Sequence, residues 1–303
     1  MARLLNKVEV MGSLSRFNAL MTARREAPGV VLGKPSKDIV FVGDLHGDDK
    51  VLDLIKKEFF KHAILVFLGD YVDRSPKDCP SGSIFTFLGI VEMKLEAPDE
   101  VFMLRGNHES YSYVEFSPHE LPLELRHAFG AGGEEVLEMF ELCFAALPLF
   151  LLCENGVFAV HGGIYPAVGS RSELLALKPG DEAALKYLTW GDPSVTKTFR
   201  GDLTKEVNFT HEQCLGFLDA IGAHVMLRGH DYSTLGYALY DDRLLTVFTS
   251  RRYQDKGHRG ILVAKAPTGK DIKSVFELEV LELKGEAWVP YSLGSFDSLD
   301  ADI

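Results

Sequence analysis

The sequence predicts an α/β fold in which short buried strands alternate with helices and deliver polar clusters to one rim of a packed sheet. Six apolar runs of three to five residues, too short for helices, each stop on a small polar cluster. The first two runs are separated by a segment with apolar residues at helical spacing, the strand-helix-strand pattern of a parallel crossover. The last part of the chain alternates apolar and polar residues as paired antiparallel strands do, so both strand directions are expected.

Within residues 3–23 the apolar positions suit a surface helix, ended by Ala27-Pro28-Gly29. Residues 39–42 form a strand that runs into Gly43-Asp44-Leu45-His46-Gly47-Asp48. Val51, Leu52, Leu54, Ile55, Phe59 and Phe60 then alternate with Lys and Glu at helical spacing. The next strand, 64–68, ends on Gly69-Asp70-Tyr71-Val72-Asp73-Arg74, and a right-handed crossover makes these two strands parallel neighbours. A helix over 83–95 leads to a strand at 101–104, which meets Arg105-Gly106-Asn107-His108-Glu109. Residues 120–147 read as helix-rich, interrupted by Gly130, Gly132 and Gly133.

Beyond that point strands dominate. Residues 157–160 precede His161-Gly162-Gly163, and a helix at 213–221 leads to the strand 225–227 before Arg228-Gly229-His230-Asp231. The strand 245–248 precedes Thr249-Ser250-Arg251-Arg252-Tyr253, and 260–264 and 274–283 close the pattern. The tail 291–303 is expected to be loose. With no internal repeat or low-complexity linker, 1–303 reads as a single domain.

At 303 residues and 46% hydrophobic content, the chain can bury a large core. A net charge of −12 argues against a nucleic-acid backbone binder, which needs a basic face. Metal ions and a few arginines can still make one site locally positive. Cys79, Cys143, Cys153 and Cys214 form no Cys-x-x-Cys pair and read as buried free thiols of a reducing compartment. Scattered Arg and Lys interrupt the first thirty residues, unlike a signal peptide, and the longest apolar run, 145–153, contains Pro148 and is far short of a bilayer span. A cytoplasmic protein with no nucleic-acid or membrane partner is the expectation.

The clusters carry chemistry. Asp44, His46 and Asp70 offer two carboxylates and an imidazole from the ends of two neighbouring strands, and Asn107, His161 and His230 offer an amide oxygen and two imidazoles from three later strand ends. This mixed oxygen and nitrogen set suits Mn, Fe or Zn better than Ca, which takes oxygen throughout. Taken singly, the Asp-x-His pair also fits a capping turn, and His161 a satisfied core histidine. Their shared position, the end of an apolar strand, is what favours a metal centre.

In order, Gly43-Asp44-Leu45-His46-Gly47, Gly69 to Arg74, Arg105 to Glu109, His161-Gly162-Gly163 and Arg228-Gly229-His230 resemble the signature of the phosphoprotein phosphatase family of serine/threonine phosphatases, within the metallophosphoesterases. The resemblance spans about residues 38–265 and includes Trp190-Gly191-Asp192-Pro193. It implies a central β-sandwich of mixed sheets flanked by helices, and hydrolysis of phosphoserine and phosphothreonine in proteins by a hydroxide bridging two divalent ions, manganese before iron or zinc. One ion is implied at Asp44, His46 and Asp70, the other at Asp70, Asn107, His161 and His230. His108 is implied as the general acid with Asp73 holding it protonated. Arg74 is implied as the phosphate clamp, Arg105 in or just behind it, Arg200 as a second phosphate-binding arginine, and Asn107 and Tyr253 beside the substrate.

The chain departs from the eukaryotic pattern at Ser250-Arg251-Arg252-Tyr253, where two arginines replace a neutral turn, and at Asp231 after His230. The arginine pair is expected either to favour acidic or multiply phosphorylated substrates or to be solvated. Asp231 either orients His230 or caps its turn. These departures suggest a prokaryotic or archaeal relative. Glu109 is expected to support the loop around Asn107. His62, His119, His127, His211, His224 and His258 are expected to be surface or structural, with His224, just before a strand, the nearest to an exception. The rival readings are a dinucleoside polyphosphate hydrolase or broad phosphoesterase with the same metal site, and a non-catalytic scaffold.

Overall fold

Two six-stranded mixed sheets carry every polar cluster named above on loops that leave their strands. The structure, a computed structural model, describes residues 5–195, 206–256 and 260–295. One sheet runs, in chain numbering, β12 (Ala287–Pro290), β11 (Glu279–Lys284), β10 (Leu262–Ala266), β2 (Ile39–Val42), β3 (Ile64–Phe67), β4 (Val101–Met103). The other runs β1 (Gly29–Leu32), β5 (Phe150–Cys153), β6 (Val157–Val160), β7 (Val225–Arg228), β9 (Leu244–Thr246), β8 (Ala238–Leu239). Strands β2, β3 and β4 are parallel neighbours, as the crossover pattern required, and so are β6, β7 and β9. All six clusters therefore follow the carboxyl ends of parallel strands, where open α/β sheets place their binding crevices.

Side-chain alternation sorts the strands' apolar residues into separate cores. Ile39, Phe41, Val66, Leu104, Leu151, Ala159, Leu227 and Leu245 fill the space between the sheets. The opposite faces, with Val40, Val42, Leu65 and Phe67 on one sheet and Phe158, Val160 and Met226 on the other, are covered by helices. Because both faces are covered, the strands read as unbroken apolar runs instead of alternating ones. Helix α1 (Lys7–Arg24) lays Val10, Leu14, Phe17 and Met21 against α3 (Gly82–Glu96) and α5 (Gly133–Ala145). Helices α2 (Asp49–Phe59) and α4 (Leu121–Phe129) join that layer. On the other sheet lie α6 (Arg171–Leu175), α7 (Glu182–Trp190) and α8 (His211–Ile221).

Four parts differ from the sequence expectation, the first being the stretch between β6 and β7, expected to be mainly strand, whose described residues carry α6, α7 and α8. The N-terminal helix is followed by strand β1, which pairs in parallel with β5 at a sheet edge. Its residues are half-exposed, so they lack the apolar density that marked the other strands. Residues 274–283 divide into a capped turn, Val275–Glu277, and then β11. The start of the tail is tied down: Tyr291 N–H donates to Val280 O at 2.8 Å and Gly294 N–H to Gly236 O at 2.9 Å, with Tyr291 and Leu293 packed on the inter-sheet core. No described helix is long and apolar enough to cross a membrane.

One ion pair lies wholly inside the helical layer. Lys94, fully buried near the end of α3, donates to Glu26 at 2.7 Å and to Pro98 O at 2.9 Å, and its ammonium stands 4.8 Å from the Phe102 ring centre. Burial pulls the Lys94 ammonium below its ordinary value, and Glu26 opposes that pull. Removing Glu26 strands the buried Lys94 ammonium, whereas removing Lys94 leaves Glu26 its bond from Arg24 Nε at 2.6 Å, and removing both strands neither. Glu26→Leu is therefore expected to cost about 3 kcal/mol in denaturant unfolding, with Lys94→Met/Glu26→Leu recovering most of it. Equal losses in the two variants would show that shape, not charge, is what the pair supplies.

Candidate active site

The loops after β2, β3 and β7 turn back on themselves through backbone that L-residues adopt at a cost. His46 (φ 46°), Asp70 (54°), Asp73 (62°), Arg74 (56°) and His230 (68°) are all left-handed, each at roughly 1–3 kcal/mol. Surrounding bonds hold them there. The N–H groups of Leu45 and His46 donate to Asp70 O at 3.1 and 2.9 Å. The loop after β3 must also pass very close to the loop after β4. Gly69 (φ 111°) and Gly106 make this possible: a Cβ on Gly106 would stand 2.3 Å from Asp70 Oδ1, and one on Gly69 would stand 2.6 Å from Gly106 N.

Glu109 fixes that approach. Its buried carboxylate accepts the N–H groups of Asp70 (2.8 Å), Tyr71 (2.8 Å) and Gly106 (3.0 Å), so it supports the Asp70 loop as well as its own. On the other sheet, fully buried Arg228 donates to Gly162 O (2.6 Å), Gly191 O (2.9 Å) and Asp192 Oδ1 (2.7 Å), joining the His161, Trp190 and His230 loops. The two rims then meet. Asp44 forms a parallel bridge with Phe248, Asp44 Oδ1 accepts His230 N–H at 2.8 Å, and Thr249 N–H donates to Asp44 O at 3.0 Å.

The structure brings together Asp44, His46, Asp70, Asn107, His161 and His230, all buried. His46 Nδ1 lies 3.1 Å from Val72 O and His161 Nδ1 lies 3.0 Å from Leu68 O. Carbonyls only accept, so both Nδ1 atoms carry the proton and both Nε2 lone pairs face the cluster. His46 Nε2 is 3.6 Å from Asp70 Oδ2 and 3.8 Å from Asp44 Oδ2, and His161 Nε2 is 3.3 Å from Asp70 Oδ1. The Asn107 amide lies 3.0 Å from both His161 Nε2 and His230 Nδ1. Two groups of atoms close enough to hold an ion share Asp70: His46, Asp70 and His108, and Asp70, His161 and His230.

The electrostatics fit bound cations. Burial pushes the Asp70 carboxyl well above its ordinary range, with Asp44 and Glu109 adding to the push, and burial pulls the His46 imidazole well below. Lone pairs and carboxylates crowded together out of water are what divalent ions relieve.

His108 stands beside this cluster. Its Nδ1–H donates to Asp73 Oδ2 at 2.8 Å, and its buried Nε2, 3.8 Å from Asp70 Oδ2, has no hydrogen-bond partner. Burial pulls His108 down to about 4 against the upward pull of Asp73. Burial alone would raise the Asp73 carboxyl, but hydrogen bonds from His108 and His119 hold it well below its usual range. His119, expected to be surface or structural, has its Nδ1 3.1 Å from Asp73 Oδ2, which ties it to the carboxylate behind His108. Phe116 covers His108 with ring centres 4.2 Å apart. Neither residue lies at a strand end, so the strand-end pattern could not have found them.

Arg74 Nη1 donates to the Tyr253 hydroxyl at 2.9 Å, so Tyr253 orients the proposed clamp. Arg105 Nε donates to Glu109 O at 3.2 Å and its guanidinium lies 5.1 Å from the Tyr113 ring centre. Arg200 lies outside the described residues, as does His258. Arg251 is committed elsewhere. It binds the buried Asp48 carboxylate through Nε and Nη2 and reaches Asp78 at 2.9 Å, so its charge is already paired within the fold. Asp231 caps its turn, accepting Ser233 N–H at 2.9 Å and the Ser233 hydroxyl at 2.7 Å. His62, His127 and His224 are exposed, and His211 pairs with Asp241 at 3.1 Å away from the cluster.

The profile of the calcineurin-like phosphoesterase family matches residues 37–233. The chain belongs to that family. Among the curated phosphoesterases it resembles, a probable serine/threonine-protein phosphatase of Encephalitozoon cuniculi is 26% identical over 265 residues, which is 83% of this chain and 55% of the relative. Serine/threonine-protein phosphatase 5 of Arabidopsis thaliana is 28% identical over 248 residues, 75% of this chain and 42% of that one. The chain thus spans about half the length of the curated relatives it matches. The phosphoesterase fold recurs in a Saccharomyces cerevisiae protein serine/threonine phosphatase with similarity to human phosphatase PP5, with TM-score 0.75, 23% identity and coverage of 92% and 91% of the two chains. A cold-active protein-tyrosine phosphatase of a psychrophilic Shewanella shares it at TM-score 0.57, 15% identity and coverage of 86% and 81%.

Glu109→Gln replaces an acceptor with an amide whose N–H faces backbone donors, and is expected to lower the divalent metal retained through purification, read by elemental analysis. Content equal to wild type would show that the clamp is dispensable. Arg251→Met leaves Asp48 without its guanidinium and is expected to cost about 2 kcal/mol, a partly exposed pair being worth less than a buried one. The ratio of kcat/KM on acidic and neutral phosphopeptides should stay unchanged; a changed ratio would return Arg251 to the substrate side.

Proposed function

We propose that the chain is one catalytic domain that hydrolyses phosphoserine and phosphothreonine monoesters in proteins with the help of two divalent ions. The observation that carries this reading is the pair of donor groups sharing Asp70, one of them including His108, whose Nδ1 meets Asp73. Asp44, His46 and Asp70 would hold one ion and Asp70, Asn107, His161 and His230 the other. When bound, the ions neutralise phosphoryl oxygens and make a water acidic enough to attack phosphorus at neutral pH. Imidazole, carboxylate and amide donors without thiolate support manganese, iron or zinc, with manganese the first to test.

The chain's own residues do the rest. Arg74, steadied by Tyr253, presents its planar fork to phosphoryl oxygens, a geometry that lysine cannot reproduce. Asn107 turns its amide toward the same space. Arg105 supports the loop from behind, and Arg200 is the candidate for a second phosphate contact. As the imidazolium, the form that Asp73 favours against the pull of burial, His108 gives its Nε2 proton to the departing serine or threonine oxygen, whose alkoxide is otherwise too basic to leave, and keeps the Nδ1 proton on Asp73. Asp73 accepts from Nδ1 and so keeps Nε2 aimed at that oxygen. Four buried, unbridged thiols support a reducing cytoplasm, and phosphoproteins are the partners proposed.

The test is a panel of phosphoserine, phosphothreonine and phosphotyrosine peptides and diadenosine tetraphosphate, assayed with and without Mn²⁺ and after chelation. Phosphoserine and phosphothreonine turnover that needs the metal is expected. His108→Asn should lower kcat on the phosphoserine peptide by about 10²–10⁴ and much less on p-nitrophenyl phosphate, whose leaving group needs no proton. Preference for the dinucleotide would favour the polyphosphate reading, and no metal-dependent turnover above His108→Asn would leave a scaffold.

A further inference from the structure

The Asp73 carboxylate is shared by two histidines. Oδ2 receives Nδ1–H of His108 at 2.8 Å and Nδ1–H of His119 at 3.1 Å. Oδ1 receives the backbone N–H groups of Glu120 at 2.6 Å and Leu121 at 2.7 Å. Asp73 is fully buried, and these four donors account for the acceptor sites of an ionised carboxylate. His119 is itself held in orientation. Its ring stacks on Tyr111 with centres 4.0 Å apart and planes at 14°, its side chain is 14% exposed, and the edge of Phe116 closes its other side.

We propose that His119 is a positioning residue for the general acid, acting through Asp73; this rests on the phosphatase reading above. The torsion that turns a carboxylate about its Cβ–Cγ bond is broad, so backbone bonds at Oδ1 alone leave Oδ2 free to swing. A second donor at Oδ2 pins that oxygen and with it the direction of the His108 Nδ1–H bond. The ring of His108 then points Nε2 into the cleft, and small errors in that direction are costly to proton transfer. The segment carrying Tyr111, Phe116 and His119 therefore does two things: Phe116 covers His108, and His119 fixes its partner.

Two substitutions separate the hydrogen bond from the packing. His119→Phe keeps the stack on Tyr111 and loses the N–H, whereas His119→Asn supplies an N–H near Nδ1 and loses the stack. His119→Phe is expected to lower kcat on a phosphoserine peptide about tenfold, as for loss of a charge-assisted hydrogen bond, with KM within about twofold. On p-nitrophenyl phosphate it should change kcat by less than about twofold. His119→Asn should retain at least about half of wild-type kcat on both, and adding His119→Phe to His108→Asn should lower the rate no further. Should Phe not fit beside Tyr111, judged by Tm and metal content, His119→Ala is read by the same substrate ratio. Equal losses on both substrates, an Asn variant as impaired as Phe, an unchanged Phe variant, or a further loss in the His108→Asn background would each overturn the proposal while leaving the phosphatase reading standing. Wild-type inactivity toward both substrates would overturn the two together.

Discussion

The hydrogen bonds from three backbone amides to the Glu109 carboxylate are the constraint on which the rest of the centre depends. Asp70 belongs to both donor groups and sits in a left-handed backbone conformation, so it cannot hold its place by local preference. Glu109 holds it from below, by its own N–H and that of Tyr71, and ties the same carboxylate to Gly106. The cost is a buried carboxylate beside two others: burial raises the Asp70 carboxyl, and Asp44 and Glu109 add to it. Charge crowding and backbone strain thus occur at one point, and bound cations are the natural counterweight.

Arg228 plays the complementary part on the other sheet, where a buried cation gathers carbonyls instead of a buried anion gathering amides. It bonds Gly162 O, Gly191 O and Asp192, in the loops that follow His161 and Trp190, and itself leads into the His230 loop. The two halves are then stitched by short polar links across the sandwich rim, Asp44 to His230 and Asp44 to Thr249. Each sheet supplies part of the donor set, and only their junction makes a centre.

The sequence made the donors legible because each lies directly after a buried strand, and buried parallel strands announce themselves as dense apolar runs. The parallel order of β2 and β3 followed from the helix between them. What the sequence did not disclose lacks such a local mark. Strand β1 is a half-exposed edge whose partner lies beyond four helices in the chain. His119 reaches Asp73 across 46 residues, from a segment with no strand pattern. Arg251 looked available because two adjacent arginines in a loop suggest a free charge. Only the fold brings Asp48 and Asp78 to meet it.

The order of strands also bears on how the chain assembles. Strand β2 is complete by Val42, yet its outer neighbour is β10, with Val42 opposite Val263. Asp44 likewise waits for His230 and Thr249, near the end of the chain. During synthesis the early β2–β3–β4 unit therefore exposes an unsatisfied apolar edge until the last strands emerge, the kind of edge that recruits other chains. Contacts this distant in sequence make for slow closure. Chaperone demand and vulnerability to aggregation should thus concentrate in the nascent N-terminal half, and a ribosome-bound chain cannot bring its six donors together before His230 has left the exit tunnel.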